Sequence, residues 1–219
     1  PVYGKLGDVF GRKRLFLAAI TLFLLGSALC GFSQNLPQLI GFRALQGLGG
    51  AGLLVSSQAI VADVVPPRDR GKFLGPIGSV FGIATVVSPL IGGALTDAAS
   101  WRWIFWLNLP IGVVALALAA AALHLPRHQR TTPLDIWGIA VLTVTTSCIV
   151  LVCAWGGTEF HWGSATMLAL IAVAIMGIAA FAVVERRAAD PLIPLYLFLD
   201  RTVLVALGLS MVIGAGLFG

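Results

Sequence analysis

Charge is what this chain lacks. Asp, Glu, Lys and Arg make up 11% of its 219 residues, against about 25% in soluble domains. So few charges cannot coat a folded surface in water, which excludes a soluble globular protein. A hydrophobic content of 58% excludes disorder on the same ground. Cysteine is also scarce: Cys30, Cys148 and Cys153 are odd in number, lie in apolar runs and show no C-x-x-C spacing. They form neither a disulfide framework nor a metal site and read as small packing residues. No Walker phosphate loop is present, so nothing supports an ATP-driven pump. Ser56, Ser57 and Ser79 have no His–Asp partners, and no enzyme or cofactor is expected.

What remains is an integral membrane protein. Glycine is abundant, 26 of 219 residues against a usual share of about 7%, which suits close packing between membrane helices. Spanning about 30 Å of hydrocarbon takes about 20 helical residues. Charge-free runs of about that length recur at Leu15–Phe32, Ala44–Ala62, Phe73–Thr96, Trp103–Leu123, Ile136–Thr158, Trp162–Val184 and Thr202–Gly219. None alternates as a barrel strand would. The expectation is an all-α membrane protein with seven transmembrane helices in this segment, the last one truncated. Pro1 is not a methionine and Gly219 stops inside an apolar run, so a piece of a longer polypeptide is expected.

The connecting segments distribute charge unevenly. Residues 1–14, 64–72, 124–135 and 185–201 carry twelve Lys or Arg; residues 33–37, 97–102 and 159–161 carry only Arg102. The positive-inside rule then places the N-terminal segment in the cytoplasm. The net charge of +5 serves as anchoring and not as a nucleic-acid footprint. Trp101, Trp103, Trp155 and Trp162 cluster near the opposite boundary, as interfacial aromatics do.

Four motifs carry more than composition. Before the first run stands Gly4-Lys5-Leu6-Gly7-Asp8-Val9-Phe10-Gly11-Arg12-Lys13-Arg14. A basic stop segment explains its arginines but not Asp8. In the second run, Arg43 stands about a turn and a half past the predicted outer boundary, followed by Ala44-Leu45-Gln46-Gly47-Leu48-Gly49-Gly50-Ala51. A charge at that depth costs a few kcal/mol and must face a cavity or a partner. Gly47 to Gly52 satisfies G-x-G-x-x-G, but no strand precedes it and no βαβ unit surrounds it. These glycines therefore read as a packing groove and not as a dinucleotide fingerprint. The third run holds Gly75, Gly78 and Gly82, then Ser88-Pro89-Leu90-Ile91-Gly92-Gly93; a proline inside a helix frees a carbonyl and kinks it. The fourth opens Trp101-Arg102-Trp103-Ile104-Phe105-Trp106-Leu107-Asn108-Leu109-Pro110-Ile111-Gly112.

These motifs resemble the major facilitator superfamily. The first is similar to its G-x-L-x-D-x-x-G-R-[KR] loop between helices two and three. That resemblance implies a cytoplasmic gating latch built from Gly4, Asp8, Gly11, Arg12 and Lys13. The second resembles the fourth-helix pattern R-x-x-Q-G-x-G, which implies a proton-coupling role for Arg43 with Gln46 and Gly47. Gly78, Gly82, Pro89, Gly92 and Gly93 resemble the fifth-helix antiporter motif, departing from it at Ser88 and Ala84. Trp101, Arg102, Trp103, Asn108 and Pro110 match the sixth-helix signature of EmrB/QacA-type drug transporters, the fourteen-spanner branch. In that signature Asn108 reads as a packing or gating residue, since an amide does not titrate.

The short linker near 124–135, and Glu185-Arg186-Arg187 with Asp190-Pro191-Leu192-Ile193-Pro194-Leu195, fit the same branch. The resemblance implies that residues 1–125 belong to an N-terminal six-helix bundle, from the end of helix two to helix six. Residues 126–185 would be an extra central pair, and 186–219 a cytoplasmic linker and the start of the C-terminal bundle. It implies proton-driven multidrug efflux across the plasma or inner membrane. The partners would be amphipathic, often cationic drugs, protons and membrane lipid. A selective metabolite or antibiotic exporter, or a fragment that only packs with partners, is the alternative. Every acid lies at or near a span end, so the proton-carrying carboxylate is expected outside these residues. His124 and His128 are four apart, but Pro126 lies between them and Arg127 and Arg130 flank them, which argues against a bound cation.

Overall fold

Backbone in hydrocarbon must satisfy its own N–H and C=O groups, so long apolar runs become helices. The computed structural model describes residues 2–123, 135–188 and 199–218, with side chains through 214. Its helices are α1 (Val2–Phe10), α2 (Arg12–Phe32), α3 (Leu36–Val64), α4 (Arg70–Ala98), α5 (Trp103–Trp106), α6 (Asn108–Ala122), α7 (Ile136–Trp155), α8 (Ala165–Arg187) and α9 (Arg201–Phe218). Six helical runs are long and apolar enough to cross a membrane, with α5 and α6 together forming one of them. The seventh apolar run is α9, whose stretch Arg201–Gly214 is shorter than a full span. The chain is an all-α membrane protein.

Several elements depart from the expected boundaries for local reasons. Helix α3 starts at Leu36 and not Ala44, because Asn35 accepts the Gln38 N–H at 2.9 Å while Gln38 Oε1 accepts the Gln34 N–H at 3.0 Å. This reciprocal cap puts Arg43 two turns inside the helix. The fourth span is split at Leu107 into α5 and α6. Pro110 has no N–H to give the Trp106 carbonyl, and it falls in the first turn of α6, where no partner is needed. The segment before α2 is not a loop. It is the helix α1 followed by a one-residue elbow at Gly11, whose φ of 89° favours glycine. Tyr3 on α1 donates its hydroxyl to the Leu48 carbonyl, near the middle of α3.

The chain divides into two compact units, Tyr3–Thr131 and Thr132–Gly219. In the first, α2 packs most extensively on α3 and also meets α5 and α6. Small residues set that distance. A Cβ on Gly26 would stand 2.6 Å from Gln46 Cα, one on Gly49 would strike the Phe23 backbone, and Gly52 receives the Tyr3 ring. In the second unit α7 packs on α8, joined by a tight turn. Helix α7 ends at Trp155 and not Thr158, because Gly157, at φ 77°, turns the chain and donates its N–H to the Phe160 carbonyl at 3.0 Å. Local caps start both helices: Asp135 accepts the Gly138 N–H, and Ser164 accepts the Met167 N–H.

Candidate functional site

The Gly11 elbow makes Arg12 the first residue of α2 and brings its guanidinium back to Asp8 at 3.1 Å. The same guanidinium pairs with Asp63 in the last turn of α3. One cation thus joins three helix ends and is shared by two carboxylates. Arg12 is 25% exposed and the acids are 41% and 43% exposed, so the pairs contribute about 1 kcal/mol or less each. Their effect is geometric: they fix the angle of the elbow. Lys13 donates to the Ala120 carbonyl at 2.8 Å, and Arg70 to the carbonyls of Ala62 at 2.6 Å and Val65 at 3.2 Å. These bases satisfy carbonyls at the C-terminal ends of α6 and α3, where cations are favoured. Gly4 has open space around it.

Arg43 lies on the opposite half of α3. It donates to Gln46 Oε1 at 3.2 Å, and its guanidinium carbon sits 4.8 Å from the centre of the Phe105 ring. Gln46 is buried, with the Cys30 thiol 3.9 Å from the same Oε1. A depth-placed cation is thereby held by an amide oxygen and an aromatic face, both of which stabilise positive charge. One turn further on the same face, Gly47 adds no side chain, and nothing stands within 4 Å of where one would be. Arg43 itself is exposed within its unit. The arrangement is a fixed charge beside open space at the helix surface. A guanidinium offers only donors, so Arg43 can attract a neighbouring carboxylate or anionic group.

The sixth-helix signature does structural work at the α2 interface. Asn108 donates to the Ser27 hydroxyl at 3.1 Å, and Ser27 donates to the Phe105 carbonyl at 2.9 Å. Arg102 donates to the Ser33 carbonyl at 2.7 Å, just past the C-terminus of α2, and stacks on Trp101 at 4.6 Å. Trp106 lies on Gly31, where a Cβ would stand 2.8 Å from its ring, and meets Phe32 edge-on at 4.7 Å. Trp103 is exposed. Helix α4 runs through both Pro76 and Pro89 and buries none of its residues. Gly78, Gly82 and Gly93 face open space there, and Gly92 meets only Ile104, at 3.8 Å. The structure thus brings Arg43 and Gln46 together and gathers Asp8, Gly11 and Arg12, but it leaves the α4 glycines apart from both groups. His124, His128 and the segment 190–195 lie outside the described residues.

Tyr3, Ser27, Asp63 and Phe105 were not legible as site residues. A hydroxyl inside an apolar span signals some hydrogen-bonded partner, but Ser27 reaches residues 78 and 81 positions away. Asp63 looked like an ordinary span-end acid.

Comparison with known proteins gives these clusters a context. The chain is 42% identical over its whole length to an uncharacterised MFS-type transporter of Mycobacterium tuberculosis, covering 32% of that protein. It is 40% identical over 98% of its length to multidrug resistance protein 3 of Bacillus subtilis, covering 42% of it. An efflux pump of Gibberella fujikuroi is 37% identical over 97% of the chain, which covers 40% of the pump. The chain therefore spans about a third to two-fifths of the length of these relatives. The sequence pattern of the Major Facilitator Superfamily matches residues 1–219, and the chain belongs to that family.

Proposed function

We propose that this chain forms part of a proton-driven multidrug exporter of the plasma or inner membrane. Its relatives include proteins named for multidrug resistance and efflux, which supports a transport role. Proton coupling, drug substrates and the cytoplasmic placement of the N-terminal segment, residues 1–14, belong to the proposal. In this reading residues 1–125 belong to an N-terminal bundle, 126–185 to an added central pair, and 186–219 to a linker and the start of a second bundle. Rocking of two bundles about a midplane cavity would expose the drug site to each side in turn. The Asp8–Arg12–Asp63 cluster would latch one of those states, and the glycines and Pro89 of α4 would allow bending and close approach to the second bundle.

The observation that carries the proposal is Arg43, held at depth by Gln46 and the Phe105 ring beside the open space at Gly47. A fixed guanidinium there lowers the proton affinity of a nearby carboxylate and makes it release its proton when a cationic drug arrives. The test is efflux by the full polypeptide in proteoliposomes with an imposed pH gradient. Arg43→Ala should lower gradient-driven export of cationic drugs about tenfold or more, while equilibrium drug binding persists; Arg43→Lys should recover part of the loss. Unchanged export by the alanine variant would reduce Arg43 to a packing residue. Export of a single compound would favour a selective exporter on the same scaffold.

A further inference from the structure

Between α7 and α8 lies an apolar groove of about 340 Å³. Trp137 and Val144 form one wall and Val173, Met176 and Ala180 the other. Its floor is the contact of Gly177 with Thr145, where a Cβ on the glycine would strike the threonine side chain. From Trp137 to Thr145 the groove rises through eight steps of helix, about 12 Å. That is close to one leaflet's share of a hydrocarbon layer about 30 Å thick.

The mouth of the groove is basic. Taking the Thr145–Gly177 contact as the crossing level, Ile136 lies nine residues back at the start of α7 and Arg187 ten residues forward in the last turn of α8, at the same end of the groove. Arg187 lies seven residues beyond Ala180 and so on the same helix face. It is exposed. The acids at this level are engaged or covered: Asp135 accepts the Gly138 N–H at 2.9 Å, and Glu185 is 3% exposed.

We propose that this groove holds one acyl chain of an anionic phospholipid, whose phosphate is drawn to Arg187. A neighbouring helix of the same protein would bury the pair along its full length, whereas the groove stops half-way. An apolar helix would also gain nothing from an exposed guanidinium at the mouth. A lipid matches both ends at once: a tail of one-leaflet length and a head group whose charge is attracted by about fivefold per basic residue. The inference rests on the proposed orientation, which puts Arg187 at the basic face of the membrane.

The test uses the full polypeptide in mixed phosphatidylglycerol and phosphatidylcholine vesicles, with a trace of photoactivatable lipid carrying a diazirine near its acyl terminus. Labelled peptides are then mapped. The phosphatidylglycerol probe should mark 137–145 and 173–180 about five times more than the phosphatidylcholine probe. Arg187→Glu, at an exposed position, should bring the two probes to parity, and Ala180→Phe should block both. Equal labelling by both probes in the wild type, or a preference that survives Arg187→Glu, would mean bulk lipid only. Absence of labelling by either would mean that another helix covers the groove. No readout involves transport, so failure here leaves the exporter reading standing, and the reverse holds too.

Discussion

The α2–α3 pair and the α7–α8 pair are both neighbouring helices joined by short turns, and both use glycine to bring backbones together. They differ in what is tied across the contact. Around α2 and α3, side chains reach other helices: Ser27 and Asn108 link α2 to α5 and α6, Arg12 links α2 to α1 and α3, and Lys13 reaches α6. In α7, Thr143, Thr145 and Thr146 return their hydroxyls to carbonyls four residues back, Ile139, Val141 and Leu142, in the same helix. Polar ties specify which helices meet and at what register, whereas a glycine contact specifies how closely. The first pair is therefore a register-fixed core, and the second is a hairpin with room at its surface.

The strongest way to break that contrast is at Gly49. A Cβ there meets the Phe23 backbone, which cannot rotate away, so Gly49→Ala should destabilise by about 2–3 kcal/mol. Gly47→Ala, two residues earlier in open space, should instead stabilise by up to about 1 kcal/mol through helix propensity. Thermal unfolding of the detergent-solubilised protein measures both, and equal effects would erase the distinction between the two glycines. Next comes Gly177→Ala. Its Cβ meets a threonine side chain that can turn aside by giving up its bond to the Val141 carbonyl, at a cost of about 1 kcal/mol. Adding Thr145→Ala should restore most of it. The smallest effect sharpens the comparison most: a double-mutant cycle of Ser27→Ala and Asn108→Ala should show coupling of about 0.6 kcal/mol. Zero coupling would remove the claim that polar ties fix the first core.

The apolar runs and the all-α class were readable because a span needs a long apolar run and little else. Arg43's need for a partner was readable from its depth, and Asp135 from its place before an apolar run. The identity of those partners was not. Phe105 lies 62 residues from Arg43, and periodicity carries no information about contacts between helices. The glycines show the same limit. Gly47, Gly49, Gly50 and Gly52 look alike in the chain, yet Gly49 and Gly52 meet α2 and Tyr3 while Gly47 faces open space. Which one packs depends on where Phe23 and Ala19 stand, a fact of the partner helix. The depth of α1 was hidden because Lys5 and Asp8 interrupt its apolar character.

The polar ties of the first unit also set an order in time. Gly49 meets Phe23 across 26 residues, whereas Ser33 waits for Arg102 across 69, Ser27 for Phe105 across 78, and Lys13 for Ala120 across 107. A chain inserted from its N-terminal side has both halves of the α2–α3 contact in the bilayer long before the residues that bind Ser27 and Lys13 are synthesised. For that interval the hydroxyl of Ser27 and the ammonium of Lys13 have yet to meet their later partners. The helices α5 and α6 supply those partners, so they are the last-fitted part of this unit.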